Sequence, residues 1–251
     1  MKIEKIALTL VLAVAAAQAQ NAPTKTLKVL TPAEIDPGRL LPPPAVGGSE
    51  SQGKELREVE RLVGVRTKDR FAQAVWDNDH EDATAFAATI GSGFDLNKLP
   101  ATAKLLAVVL NDQSVAASAA KVYFHRRFPV AAAGEAVTSY QDWSCDKDVK
   151  KPAERPLRSY PSGHATMGYS LGIVLASLLP EKSQTILARA ADYAHSREVC
   201  GDHYHSDVEA SHALGNAVGI LLLNNARLKP QIEAARAELR AAGLTRQSKP
   251  N

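Results

Sequence analysis

Hydrophobic positions recur with helical spacing along most of the chain. In the first long segment Val59, Leu62 and Val63 follow Leu56 at intervals that place them on one face of a helix. No clear alternation of apolar and polar residues and no Asn-Gly hairpin turn is present, so no strand is predicted. The predicted helices cover residues 52–63, 68–76, 81–88, 101–110, 115–127, 164–179, 183–198, 205–225 and 231–242. We therefore expect an all-α fold, built as a single helical-bundle domain.

Proline and glycine are concentrated before the first of these helices. Pro42-Pro43-Pro44 and Gly47-Gly48 disfavour regular structure, so residues 20–51 are predicted to form an extended Pro-rich arm on the surface. The remainder has no internal repeat and no break in composition. We expect one helical domain over residues 52–245 and a disordered tail over residues 246–251.

The first nineteen residues have the pattern of a secretory signal. Lys2 and Lys5 precede an apolar run over residues 6–17, and the small residues Ala17 and Ala19 follow. Cleavage is expected after Ala19. The apolar run is shorter than the roughly 20 residues that cross a bilayer, so we expect no stable membrane insertion and a periplasmic or secreted protein.

Composition narrows the classes of partner. The chain has 251 residues, 45% of them hydrophobic, which is enough for one sizeable core. Its formal net charge of +3 is too small to indicate a nucleic-acid-binding surface, although it leaves room for a local anion pocket. Export to an oxidising compartment predicts that Cys145 and Cys200 form a disulfide.

Chemistry is first indicated at Ser162-Gly163-His164, which directly precedes a long apolar run. Ser162 is a good N-cap, and the free backbone N–H groups at a helix N-terminus favour an anion such as phosphate. His164, in the first turn, could then give a proton to a departing oxygen. An ordinary capped helix with a surface histidine is the alternative explanation of this segment.

A second segment contains Arg197, His203 and Asp207. If a helix begins near His203, Asp207 lies four residues later on the same face and can accept a hydrogen bond from one ring nitrogen. The other nitrogen is then free to act as a nucleophile, and Arg197 can grip phosphate oxygens in pairs.

Metal binding competes with this interpretation, because seven potential ligands lie within eighteen positions. They are His195, Cys200, Asp202, His203, His205, Asp207 and His212. A His-x-His pair is a plausible fragment of a zinc site. The predicted disulfide occupies Cys200, however, and an arginine beside a divalent cation would repel it.

These two segments, together with a third that runs from Lys121 to Pro129, resemble the class A bacterial non-specific acid phosphatases. That family belongs to the superfamily of the type-2 phosphatidic acid phosphatases and the vanadium haloperoxidases. Its pattern is Lys-x6-Arg-Pro, then Pro-Ser-Gly-His, then Ser-Arg-x5-His-x3-Asp. The second block matches in full at residues 161–164, and the third at residues 196–207. Leu41 to Pro44, Ser159-Tyr160 and Cys200-Gly201 extend the likeness.

The resemblance implies a metal-independent phosphatase for small phosphomonoesters, with a broad substrate range and no cofactor. His203 would attack phosphorus to form a phosphohistidine, Asp207 would orient it, and His164 would protonate the departing alcohol. The three non-bridging oxygens of the phosphoryl group would be held by Lys121, Arg197 and the backbone at Ser162 and Gly163. The sequence leaves open whether the protein forms a homo-oligomer.

The first block departs from the family at one position. Counting from Lys121, the family's arginine falls on Phe128, while Pro129 is in place. On a regular helix Arg127 would point about 120° away from the required face. Because Phe128 precedes a proline, the chain end could unwind and let Arg127 turn inward. Arg155 or Arg158 could also supply the charge.

Four other functions compete with a phosphatase. A haloperoxidase would hold vanadate in the same cradle, although the chain is short for one. A lipid phosphate phosphatase would need membrane spans, which the apolar runs do not provide. A zinc hydrolase would lose its activity to a chelator. A non-catalytic phosphate-binding protein of the cell envelope would follow if Phe128 has disabled the site.

Overall fold

The computed structural model describes residues 25–134, 143–146 and 156–246. Within these residues the chain forms helices and no strand, which confirms the all-α prediction. The predicted signal segment and, apart from Arg246, the predicted tail lie outside the described residues, so these two remain predictions.

Ten α-helices are described, and four of them form the centre of the bundle. Their bounds are α1 Pro37–Leu40, α2 Glu50–Val65, α3 Lys68–Asp79, α4 Ala87–Ile90, α5 Pro100–Phe124, α6 Pro129–Ala133, α7 Gly163–Leu178, α8 Ser183–Cys200, α9 His205–Leu223 and α10 Lys229–Ala241. Helix α7 is the central element, because it is buried around most of its circumference and packs against α5, α8 and α9. A helix that is apolar on all sides is expected in such a position.

Helix α5 corrects the sequence-based boundaries. The helices predicted over residues 101–110 and 115–127 are one continuous helix, Pro100–Phe124. It ends earlier than predicted because His125 adopts a left-handed conformation, with φ 49°. The segment from Arg126 to Phe128 therefore lies outside the helix and leads to the start of α6. Helical geometry cannot be used to predict where its side chains point.

The N-terminal arm is attached to α5 through one buried carboxylate. Asp112 is 0% exposed, and its two oxygens accept the backbone N–H groups of Lys28, Val29 and Leu30 at 2.7, 2.9 and 2.9 Å. A buried charge is tolerated when several donors satisfy it. These three bonds therefore hold the arm against the bundle and satisfy the charge of Asp112 together.

Close contact between α7 and α9 brings the second and third sequence blocks together. A Cβ atom on Gly215 would stand 2.7 Å from the backbone oxygen of Thr166, and one on Gly219 would overlap Ile173. At the start of α7, the hydroxyl of Ser211, in the second turn of α9, donates to the backbone oxygen of Ser162 at 2.9 Å. The glycines allow this approach, which places the Pro-Ser-Gly-His turn beside the first turn of α9.

The predicted disulfide is confirmed between Cys145 and Cys200, whose Cα atoms are 5.2 Å apart. It joins residues 143–146 to the last residue of α8. Asp202, directly after α8, accepts hydrogen bonds from the hydroxyl of Ser144 at 2.8 Å and from the N–H of Cys145 at 3.3 Å. The end of α8 is therefore fixed by one covalent bond and two hydrogen bonds.

We predict that Gly215→Ala lowers the free energy of unfolding by more than about 2 kcal/mol, because its Cβ meets backbone atoms that cannot move aside cheaply. The matched control is Gly64→Ala in α2, where a Cβ has nothing within 4 Å. It should raise stability by about 0.5 to 1 kcal/mol through helix propensity. Chemical denaturation measures both, and equal effects would contradict the close-packing argument.

Candidate active site

His203 lies in the turn between α8 and α9. Helix α9 begins at His205, where the predicted helix begins, with Tyr204 as its N-cap, so His203 precedes the helix and does not share a helical face with Asp207. Asp207 is the third residue of α9, and its Oδ2 accepts the N–H of Tyr204 at 3.1 Å and lies 3.2 Å from Nδ1 of His203. The carboxylate therefore engages one ring nitrogen, as predicted, and Nε2 is the nitrogen left for chemistry.

Asp207 is 0% exposed and remains ionised. Burial alone would raise its pKa, but the hydrogen bond from His203 and the positive charge of Arg126 outweigh burial and hold the pKa below its ordinary value. The hydroxyl of Ser159 donates to Oδ2 at 2.5 Å, which adds to this stabilisation. An ionised Asp207 fixes the proton of His203 on Nδ1.

Arg126 contributes the fourth donor to this carboxylate. One of its terminal nitrogens, Nη1, donates to Oδ1 of Asp207 and to the hydroxyl of Ser206, both at 2.7 Å. The other, Nη2, donates to Glu55 at 2.5 Å. The backbone oxygen of Arg126 accepts the N–H of Ser159 at 3.0 Å. Arg126 and Ser159 thus hold Asp207 from two sides, a role that the sequence analysis did not assign to either.

Arg127 does not turn inward as the sequence analysis expected. Its side chain is exposed and lines a cavity of about 680 Å³ between the arm and the end of α5. The left-handed turn at His125 instead directs Arg126 into the protein, where it is 5% exposed. The prediction for Arg127 assumed helical geometry, which does not apply because α5 ends at Phe124.

Arg197 is 3% exposed and is fixed by two partners. Its terminal nitrogens donate to Asp202 at 2.8 Å and to the side-chain oxygen of Asn78 at 2.7 Å. Its Nε is buried and has no hydrogen-bond partner among the described residues. A buried donor of this kind usually has a partner, so an anionic ligand would satisfy it.

His164 lies in the first turn of α7, as predicted, and belongs to the same site as His203. Its Nε2 is 3.3 Å from the backbone oxygen of Asn78 and 3.8 Å from a carboxylate oxygen of Glu81. Burial, then the charges of Arg197 and His203, hold the pKa of His164 well below its ordinary value. His164 is therefore neutral in the free site. A proton added to it would be repelled by the positive charge of Arg197 and by that of His203 when His203 is protonated.

Lys121 stands beside the start of α7. Its Nζ donates to the backbone oxygen of Arg158 at 2.5 Å, and its Cε lies 3.8 Å from the position of a Cβ on Gly163. Burial is the main reason that the pKa of Lys121 is lowered to about 7, and the charges of Arg158 and Arg197 contribute to the same shift. Lys121, Arg158, Gly163 and Glu81 line a cavity of about 200 Å³.

The predicted backbone donors differ from each other. The N–H of Ser162 points to the backbone oxygen of Asp207 at 3.4 Å, and its hydroxyl caps α7 by accepting the N–H of Ala165 at 3.3 Å. Gly163 is the first residue of α7, so its N–H has no acceptor within the helix. Gly163 is consequently the better placed of the two to bind an anion.

Phe128 occupies the position where the family has arginine. The centroid of its ring lies 5.5 Å from the ring centroid of His203. Nζ of Lys121 lies 5.9 Å from the ring centroid of Phe128. Of the two alternative arginines, Arg155 lies outside the described residues. Arg158 is bonded to the hydroxyl of Ser118 at 2.7 Å and lines the cavity beside Lys121.

The residues considered for a metal site have other partners. Cys200 is in the disulfide, Asp202 pairs with Arg197, and the rings of His195 and His205 both face Glu198, at 3.5 and 3.2 Å. Over the described ranges no group of three or more histidine, cysteine or acidic side chains has the arrangement of a metal site.

The chain belongs to the PAP2 superfamily, since the sequence model of that family matches residues 101–229. It is 30% identical over 210 residues to a protein of Zymomonas mobilis named acid phosphatase, covering 82% of this chain and 76% of that one. It is 31% identical to a non-specific acid phosphatase of Providencia stuartii, with 81% of each chain covered. A non-specific acid phosphatase of Salmonella typhimurium is 27% identical over 70% of this chain and 68% of its own. The resemblance drawn from the motifs is thus confirmed.

None of the described helices combines the length and the apolar character that crossing a membrane requires.

Proposed function

We propose that this protein is a metal-independent phosphomonoester hydrolase that acts through a phosphohistidine on His203. The observation that carries the proposal is the pairing of Nδ1 of His203 with buried Asp207, which leaves Nε2 for attack in the electrostatic field of Lys121 and Arg197. The names of the relatives support phosphatase activity.

The first step transfers the phosphoryl group to the enzyme. The substrate enters as its monoanion and passes its proton to His164, which is neutral in the free site. Nε2 of His203 then attacks phosphorus, the bond from phosphorus to the alcohol oxygen breaks, and His164 gives the proton to that oxygen. The imidazole of His203 gains positive charge, which the carboxylate of Asp207 stabilises across a separation of 3.2 Å. The alcohol leaves with the proton from His164.

The second step returns the enzyme to its starting state. A water molecule gives a proton to His164 and attacks phosphorus, and the bond from phosphorus to Nε2 breaks. Inorganic phosphate takes this proton from His164 and departs as its monoanion, and His203 is again neutral with its proton on Nδ1. His164 thus acts as the acid in one step and as the base in the other.

Fixed cations stabilise the charge of the transferring group in this proposal. Lys121, Arg197 and the N–H of Gly163 hold the non-bridging oxygens, so a metal ion is not needed for that role. Arg126 acts only through Asp207, to which it is bonded. Because these groups recognise phosphate and not the alcohol, a broad range of small phosphomonoesters is expected.

The disulfide supports a periplasmic or secreted location for this activity. Disulfides persist in oxidising compartments and are rare in the cytosol. The bond between Cys145 and Cys200 also lies close to the site, since Asp202, which accepts the N–H of Cys145, binds Arg197.

The proposal predicts an acid-labile, base-stable phosphoenzyme when the reaction with a radiolabelled phosphomonoester is quenched. His203→Ala should abolish both the labelled species and turnover, because no other residue takes over the attack. His205→Ala is the matched control, since this histidine is exposed and two positions away, and it should retain the label. Turnover by folded His203→Ala at the native rate would disprove the mechanism.

Replacing Phe128 by arginine should raise kcat/KM for p-nitrophenyl phosphate by about tenfold or more, since a charge-assisted hydrogen bond contributes about 1.5 to 3 kcal/mol. Steady-state kinetics on the folded variant measure the change. An unchanged or lower kcat/KM would mean that another arginine already fills this position, with Arg158 the nearest described candidate.

Activity should decline as the pH rises. His164 is neutral in the free site, so its proton arrives with the substrate monoanion, which is lost above about pH 6. Lys121 loses its charge as the pH passes about 7. Above pH 7.5, log kcat/KM should fall by about two per pH unit, and by about one in Lys121→Arg, because arginine stays charged. Identical slopes, or a rate that climbs from pH 5 to 9, would contradict this account.

A further inference from the structure

Three charged side chains of alternating sign form a line that ends at the nucleophile, His203. Glu55, on α2, accepts from Arg126 at 2.5 Å, and Arg126 donates to Asp207 at 2.7 Å. Asp207 in turn lies 3.2 Å from the ring of His203. The side chains of Arg126 and Asp207 are 3% and 0% exposed, so water does little to screen either charge.

Arg126 has opposite effects on the reaction. It holds Asp207 in place, but it also attracts the negative charge that Asp207 must offer to His203 when the phosphohistidine forms. In a buried site the two cations compete for one carboxylate, because nearby charges shift proton affinity strongly where the dielectric is low. A counter-charge on the far side of Arg126 would reduce this competition.

Glu55 is placed to supply that counter-charge. Its side chain is 20% exposed and is bonded to Arg126 through Nη2, whereas Asp207 is bonded to Nη1. The guanidinium is also fixed in orientation, since its central carbon lies 3.9 Å from the ring centroid of Tyr204. Glu55 therefore reaches His203 only through Arg126 and Asp207.

We propose that Glu55 is a positioning residue for phosphoryl transfer, which balances Arg126 so that Asp207 can stabilise the positive charge formed on His203. This role rests on the proposed phosphohistidine mechanism. With Glu55 in place, the line from Glu55 to phosphorylated His203 is electrically neutral; without it, the line carries one excess positive charge next to Lys121 and Arg197.

The two chemical steps should respond in opposite directions when this charge is removed. Attack by His203 creates the imidazolium, so the formation of phosphoenzyme slows. Its hydrolysis removes the imidazolium, so a less stabilised phosphohistidine loses its phosphoryl group faster. A site that is merely loosened would slow both steps, and the opposite movement is therefore specific to the electrostatic role.

The test is Glu55→Gln, which keeps a side-chain oxygen for Arg126 and removes only the charge. Rapid alkaline quench with a radiolabelled phosphomonoester should show phosphorylation slowed by about three- to tenfold, faster release of phosphate from the phosphoenzyme, and a smaller steady-state fraction of labelled enzyme. Glu55→Asp, which keeps the charge, should recover part of the phosphorylation rate.

The matched control is Glu58→Gln, on the same helix and one turn away, where the carboxylate is exposed and pairs with Arg61 at 2.7 Å. It should leave both rates unchanged. Glu55→Gln rates equal to those of Glu58→Gln, or a loss of both rates together with a lowered melting temperature, would overturn the proposal. The absence of any labelled intermediate in the native protein would instead overturn the mechanism on which it rests.

Discussion

The burial of one ionised carboxylate, that of Asp207, constrains the rest of the site. An isolated charge cannot be placed in a protein interior without a large loss of hydration energy, so every donor around it is necessary. Its oxygens face the ring of His203, the hydroxyl of Ser159, the N–H of Tyr204 and the guanidinium of Arg126. Satisfying this carboxylate therefore draws the end of α5, the turn before α7 and the turn before α9 to one point.

The close packing of α7 against α9 fixes the relative positions of the turns that carry these residues. Gly215 and Gly219 let the two backbones approach where any side chain would meet Thr166 or Ile173. The N-cap of α7 is then joined to the second turn of α9 by the hydrogen bond from Ser211 to Ser162. The positions of the histidines thus follow from two rigid helices, and rigid elements hold catalytic groups more accurately than loops do.

Much of the fold and part of the site follow from sequence patterns. Helical periodicity gave the long helices, and the spacing of His203 and Asp207 gave their contact, although through a turn before the helix and not through a shared helical face. The boundary of α5 was out of reach, because it depends on a single left-handed residue, His125, which no periodicity marks. That one residue decides whether Arg126 or Arg127 faces the interior. The partnership of Glu55 with Arg126 spans 71 positions and depends on tertiary packing, which a spacing rule does not detect.

The arm before α2 determines where the folding unit of the protein begins. Its composition predicts an extended arm on the surface, yet Lys28, Val29 and Leu30 supply backbone N–H groups that bind the buried carboxylate of Asp112 in the middle of α5. The same helix carries Lys121 near its other end. Removing the arm would leave the buried carboxylate of Asp112, in α5, without these three donors. The smallest unit that folds therefore has to begin upstream of Pro42.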